Sequence, residues 1–147
     1  MATILLPPDF KEFLRLLNSR DVEYLLIGGY AVNYYGYPRA TADMDIWIGI
    51  GPINAEKLAQ VLHEFGFPQA SGQLFQEREK IIRMGVPPIR IEVLTSVSGV
   101  DFAACFRNRT TVTIDGVPVN LISLTDLKAN KKASGRLRDL ADLEQLN

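Results

Sequence analysis

Residues 9–21, DFKEFLRLLNSRD, gather Phe10, Phe13, Leu14, Leu16 and Leu17 on one side of a helix and turn Lys11 and Glu12 outward. Asp9 is placed to cap its start. Residues 22–29, VEYLLIGG, are a β-branched and apolar run that stops at two glycines, the pattern of a buried strand ending in a turn that tolerates no side chain. YAVNYYG, 30–36, has room for about two helical turns before Gly36, and Pro38 keeps Tyr37 extended. The chain then enters TADMDIWIGI, 41–50, a second strand. Residues 53–67, INAEKLAQVLHEFGF, carry apolar positions at Ile53, Leu58, Val61, Leu62 and Phe65 and end at Gly66, a helix with a glycine cap. EKIIRMGVPPIRIEVLTSV, 79–97, reads as a two-stranded hairpin interrupted by Pro87 and Pro88, and TTVTIDGVPVNLI, 110–122, as a second hairpin turning at Asp115-Gly116. A short helix, GVDFAACFRN, lies between the hairpins. From Leu124 to Leu146 the pattern is helical with a break at Ser134-Gly135.

This order of elements predicts a mixed α/β (α+β) domain, a mixed or predominantly antiparallel sheet packed by helices, without repeats or linkers. The 147 residues, 47% hydrophobic and 22% charged, suit one domain with a sizeable core. Sixteen basic and 17 acidic side chains leave a net charge of -1, so no overall field draws the chain to nucleic acid or anionic lipid, and any anion site must be local. The start of the chain carries no basic leader, its apolar run is cut by Pro7 and Pro8, and no stretch approaches the ~18 apolar residues of a membrane span. A cytoplasmic protein without membrane contact is the expectation. The single cysteine, Cys105, sits among apolar residues and reads as an inert buried thiol.

The chemistry concentrates in residues 28–48, GGYAVNYYGYPRATADMDIWI. Side chains alternate along a strand, so Asp43 and Asp45 share one face while Met44 and Ile46 take the other. Two ionised carboxylates held that close repel each other and call for positive charge beside them. A divalent cation, Mg²⁺ or Mn²⁺, fits best, because Mg²⁺ takes hard oxygen ligands and needs only one or two protein carboxylates when substrate phosphates supply others. Gly28 and Gly29 would let the backbone approach such a phosphate, with the N–H groups of a helix starting near Tyr30 aimed at it. Arg39 and Thr41 lie in one row with Asp43 and Asp45 and add a cationic fork and a hydroxyl.

Gly28-Gly29 followed by Arg39-x-Thr41-x-Asp43-x-Asp45 resembles the signature of the nucleotidyltransferase superfamily, whose members include DNA polymerase beta. The ending LISLTDLKANKKASGRLRDLADLEQL is similar to that of a small bacterial branch related to abortive-infection toxin–antitoxin nucleotidyltransferases. The resemblance runs from about Val22 to Leu146 and implies one nucleotidyltransferase-like domain over residues 1–147. It further implies a third carboxylate on a neighbouring strand. Glu92 in IRIEVL is the matching position, where the family usually has Asp, and Arg90 shares its strand face. In the family this group completes the metal site and can take the proton of the attacking hydroxyl. Tyr30 stands where many relatives carry a phosphate-contacting serine. Lys131 and Arg136 match a Lys-x-x-x-Gly-Arg pattern and are the implied phosphate-binding cations, while Asp139 and Asp142 are expected to orient the helix pair rather than bind metal.

The basic stretch KANKKASGRLR, 128–138, holds Lys128, Lys131, Lys132, Arg136 and Arg138 without an acid. Lys128, Lys131 and Lys132 fall on one helical face that could grip a triphosphate or an RNA, or could simply be solvated and paired with the acids that follow. His63 has no partner for zinc or nucleophilic work and reads as a surface or edge-of-core residue. Tyr34, Tyr35, Tyr37 and Trp47 are assigned to packing rather than to a base. The resemblance thus implies a Mg²⁺-dependent (or Mn²⁺-dependent) transfer of a nucleoside monophosphate from a nucleoside triphosphate to a hydroxyl on RNA, protein or a small molecule. The alternatives are a degenerate nucleotide-binding module acting as an antitoxin or regulatory partner, and an antibiotic-modifying enzyme. With no separate acceptor domain in 147 residues, a homodimer or a toxin–antitoxin partner protein is expected to help hold the acceptor.

Overall fold

In a computed structural model the protein is described over residues 4–36, 43–86 and 89–146. Helix α1 (Pro8–Ser19) leads into strand β1 (Tyr24–Ile27), helix α2 (Gly28–Tyr34) and strand β2 (Asp43–Ile48). Helix α3 (Pro52–Phe65) and a short 3-10 turn (Gly72–Phe75) precede the hairpin β3 (Ile81–Val86) and β4 (Ile89–Leu94). Helix α4 (Phe102–Arg107), the hairpin β5 (Thr110–Ile114) and β6 (Val117–Leu121), and helices α5 (Leu124–Ser134) and α6 (Leu137–Leu146) complete the order.

The six strands form one mixed sheet in the order β3-β4-β2-β1-β6-β5. The two hairpins and the β1–β2 pair are antiparallel, whereas β2–β4 and β1–β6 run parallel. The predicted α/β class therefore holds, and the mixed form of the sheet is the one realised. Gly66 and Gly135 end α3 and α5 in the left-handed conformation, as expected of glycine caps. Asp115 and Gly116, both at positive φ, make the turn of the second hairpin. Asp9 does not cap α1: Pro8 occupies the first helical turn, Pro7 stands at the cap, and no side chain accepts there, which leaves Asp9 to act only through its charge at the helix start.

The core explains how the sheet acquires a working face. Met44, Ile46 and Ile48 project from β2 into the side covered by α1 and α3, where Phe10, Phe13, Leu14 and Leu17 are fully buried and Phe13 meets Phe65 edge to face. Burying each of these large side chains contributes about 1.5–3 kcal/mol. Ile53, placed by the sequence pattern on the apolar side of α3, is instead 77% exposed, because Asn54 and Ala55 face inward at the helix start. The Asn54 side chain accepts from the Glu23 N–H and donates to the carbonyls of Glu23 and Gly49, tying α3 to the ends of β1 and β2. With one face of β2 committed to the core, Asp43, Asp45 and Trp47 must take the other. Trp47 is covered by the Phe102 ring of α4, so the apolar end of that face is closed and the acidic end is left open.

Candidate active site

The parallel pairing of β2 and β4 sets Asp43 beside Arg90 and Asp45 beside Glu92. Residues in register on neighbouring strands point to the same side, so Asp43, Asp45 and Glu92 share one face, as the sequence analysis expects. The β3–β4 hairpin sets Arg83 opposite Glu92, and the β1–β2 pair sets Ile27, the residue before Gly28, opposite Asp45. Four strands, the consecutive pairs β1–β2 and β3–β4, thus converge on one spot.

Gly28 closes the spot from the side of α2. Its φ is +70°, and a Cβ built there would stand 2.2 Å from Asp45 Oδ2. A phosphate is expected beside this backbone, and the Asp45 carboxylate gives a nearer reason for glycine at position 28. Helix α2 begins at Gly28, two residues before the expected start at Tyr30, so the strand runs into the helix without a loop. Tyr30 is buried against Phe10 and belongs to the core.

The charges are distributed unequally. Arg90 donates to Asp43 Oδ2 from both Nε (3.2 Å) and Nη2 (2.7 Å), and the same Nη2 lies 3.2 Å from Glu92 Oε1. Arg83 Nε donates to Glu92 Oε1 at 3.3 Å. Asp45 sits beside them with burial, then the charge of Glu92, then that of Asp43 all favouring its protonated form, against a weaker pull from Lys131 and Arg138; its carboxyl rises to about 7.

These residues line a cleft of about 760 Å³. Acids form its floor, Gly28 and Gly29 one end, and Lys131, Arg136 and Arg138 of the α5–α6 region the opposing wall. Lys131 is only 5% exposed and does not share an outward face with Lys128 and Lys132, contrary to the helical pattern. Its ammonium is held by Asp139 (3.0 Å) and Asp142 (3.1 Å), which are nearly fully buried and, as expected, join the two helices. Burial alone would raise Asp139, but hydrogen bonds from Ser134, Arg136 and Lys131, together with the Lys131 charge, hold it at about 2. The Arg136 side chain is 73% exposed and donates to Asp139 Oδ2 at 2.7 Å.

Arg39 and Thr41 lie outside the described residues. Arg83 and Arg138 also line the cleft; Arg138 belongs to the basic stretch 128–138, and the signal for Arg83 is its place on the first strand of the hairpin that carries Glu92. His63 donates from Nε2 to the Ala70 carbonyl (2.6 Å), and Cys105 is buried, its thiol pushed up to about 12 by burial and by Asp126. Tyr35 donates its hydroxyl to the Ile122 carbonyl at 2.6 Å and packs edge to face on Tyr34, whereas Tyr37 lies outside the described residues.

By chemistry the donors suit a hard cation, three carboxylates on one face with Asp45 raised by burial and then by the charges of Glu92 and Asp43, but their spacing does not yet make a cage. Among the described residues no three acidic, histidine or cysteine side chains stand close enough to hold an ion together, and Arg90 is the charge that two of the acids share.

No protein-family model matches the chain, and no curated protein does. Solved structures do. An antigenic nucleotidyltransferase-like protein from Paracoccidioides brasiliensis is similar over 93% of this chain and 73% of its own, at 20% identity and a TM-score of 0.56. A presumed nucleotidyltransferase from Thermotoga maritima is similar over 97% of this chain and 92% of its own, at 16% identity and a TM-score of 0.59. Among the described residues no helix is long and apolar enough to cross a membrane. The chain has the nucleotidyltransferase fold, with Asp43 and Asp45 on β2 and Glu92 on β4 at the floor of its cleft.

Proposed function

We propose that the protein is a nucleotidyltransferase that moves a nucleoside monophosphate from a nucleoside triphosphate to a hydroxyl acceptor, on RNA, a protein or a small molecule. The observation that carries this reading is the pairing of an acidic floor with a cationic wall across one cleft of the nucleotidyltransferase fold. Asp43, Asp45 and Glu92 are the residues that would hold Mg²⁺ or Mn²⁺, which when bound supplies charge stabilisation for the transferring phosphoryl group. Gly28 and Gly29 keep that end of the cleft free of side chains. Arg136 and Arg138 offer cationic donors to a triphosphate, while Lys131, neutralised by two aspartates, acts on it mainly by holding α6 in place.

Glu92, at the position of the third carboxylate, is the group that would take the proton of the acceptor hydroxyl. A second reading, a nucleotide-binding module without turnover that acts as an antitoxin or regulatory partner, is favoured by one feature: Arg83 and Arg90 both engage the glutamate that replaces the family's aspartate. In either reading the protein works in the cytoplasm, as a homodimer or with a partner protein. The test is incubation with each α-labelled nucleoside triphosphate, Mg²⁺ or Mn²⁺, and total RNA or cell extract. Label on a macromolecule or small acceptor, lost in Asp45→Asn, supports the enzyme; nucleotide binding by calorimetry without transfer supports the module; neither transfer nor binding removes both.

A further inference from the structure

The acidic floor carries its own cation. Arg90 lies on β4 in register with Asp43, and its guanidinium spans the gap between the strands to reach Asp43 and Glu92 at once. The three side chains are 29%, 19% and 15% exposed, respectively, so these charge-assisted bonds are partly shielded from water and stronger than those of an open surface pair. A hard cation seeks the same carboxylate oxygens. Arginine and metal therefore compete for the same lone pairs.

We propose that Arg90 is a built-in competitor for the divalent cation: its guanidinium holds Asp43 and Glu92 in the free chain and must release at least one of them before a cation can bind. The proposal rests on the reading of these acids as the cation site and adds a threshold to it. Release sends no charge out of the cleft, since Arg90 lines it, and the freed fork becomes a donor for a phosphate arriving with the cation. Cation and nucleotide binding are thereby coupled, because each favours the same displaced arginine.

Arg83 provides the comparison that separates this from a general effect of charge. It also lines the cleft and also meets Glu92, but through one bond of 3.3 Å from a side chain that is 54% exposed. Removing either arginine deletes one positive charge; only Arg90 occupies two acids.

The experiment is titration of the metal-free full chain with Mn²⁺, following free Mn²⁺ by electron paramagnetic resonance, for the parent protein, R90Q, R83Q and D45N. R90Q is expected to bind Mn²⁺ about tenfold more tightly than the parent, R83Q within about twofold of it, and D45N far more weakly. Equal affinity in the parent and R90Q, or an equal gain in R83Q, overturns the competition while leaving the cation site standing. No Mn²⁺ retained by the parent or R90Q, or full binding by D45N, overturns the cation site and this proposal with it. Should R90Q lose its melting transition, R90K, which keeps the charge but not the fork, carries the same test with an expected gain of about threefold.

Discussion

Two groups of buried charge face each other across the cleft, and they have been settled in opposite ways. In the α5–α6 cluster one lysine meets two aspartates, every bond is short, and Asp139 stays ionised down to about 2. On the β2–β4 floor three carboxylates stand together with arginines holding two of them, and Asp45 is pushed to about 7. The Lys131 network joins two helices; on the floor three acids meet two arginines, and Asp45 carries the repulsion. The difference separates charges that tie elements together from charges that the fold holds against repulsion.

The largest effect is expected from breaking the Lys131 cluster. Lys131→Met removes the cation that Asp139 and Asp142 share, leaving Asp139 to Arg136, and should lower stability by about 3–5 kcal/mol in urea unfolding. A loss below about 1 kcal/mol would mean the cluster is not the lock described. Gly28→Ala comes next, since the new Cβ meets the Asp45 carboxylate on a backbone at positive φ; about 1–3 kcal/mol of stability should go, with any transfer activity.

The acidic floor should answer in the other direction. Asp45→Asn removes the repelled charge and is expected to stabilise the metal-free protein above pH 7 by about 1–2 kcal/mol while abolishing transfer. The sign follows from proton linkage. Asp45 binds its proton more tightly folded (about 7) than unfolded (3.8), so its contribution lowers stability as pH rises from about 4 to 7 and is constant above that. The gain of Asp45→Asn should therefore shrink toward zero as pH falls to 4 in thermal melts. Smallest of all, Arg136→Gln should change stability by about 0.5 kcal/mol or less, because its exposed side chain is screened by water; a much larger loss would place Arg136 among the locking residues.

The sequence makes the local part of this picture legible. Alternation along DMDIWI puts Asp43 and Asp45 on one face without any knowledge of neighbours, and Asp115-Gly116, Gly66 and Gly135 mark their turn and caps through backbone chemistry. Non-local register is another matter. Glu92 is placed beside Asp45 by the family resemblance, and the structure supplies the parallel β2–β4 register that makes it physical. The grip of Arg90 on two acids, the approach of Arg83, and the burial of Lys131 within an apparently solvated basic stretch depend on strands and helices that pattern alone does not align. Ile53 and Asp9 show the same limit at single positions: Asn54 takes the inward place expected of Ile53, and Pro7 the cap position expected of Asp9.

The contrast between the two charge groups is measured most directly by a carboxyl ¹³C NMR titration of the metal-free protein, with Asp45 and Asp139 observed in one sample. The account predicts midpoints near 7 for Asp45 and near 2 for Asp139. Both midpoints close to the ordinary aspartate value of 3.8 would contradict it.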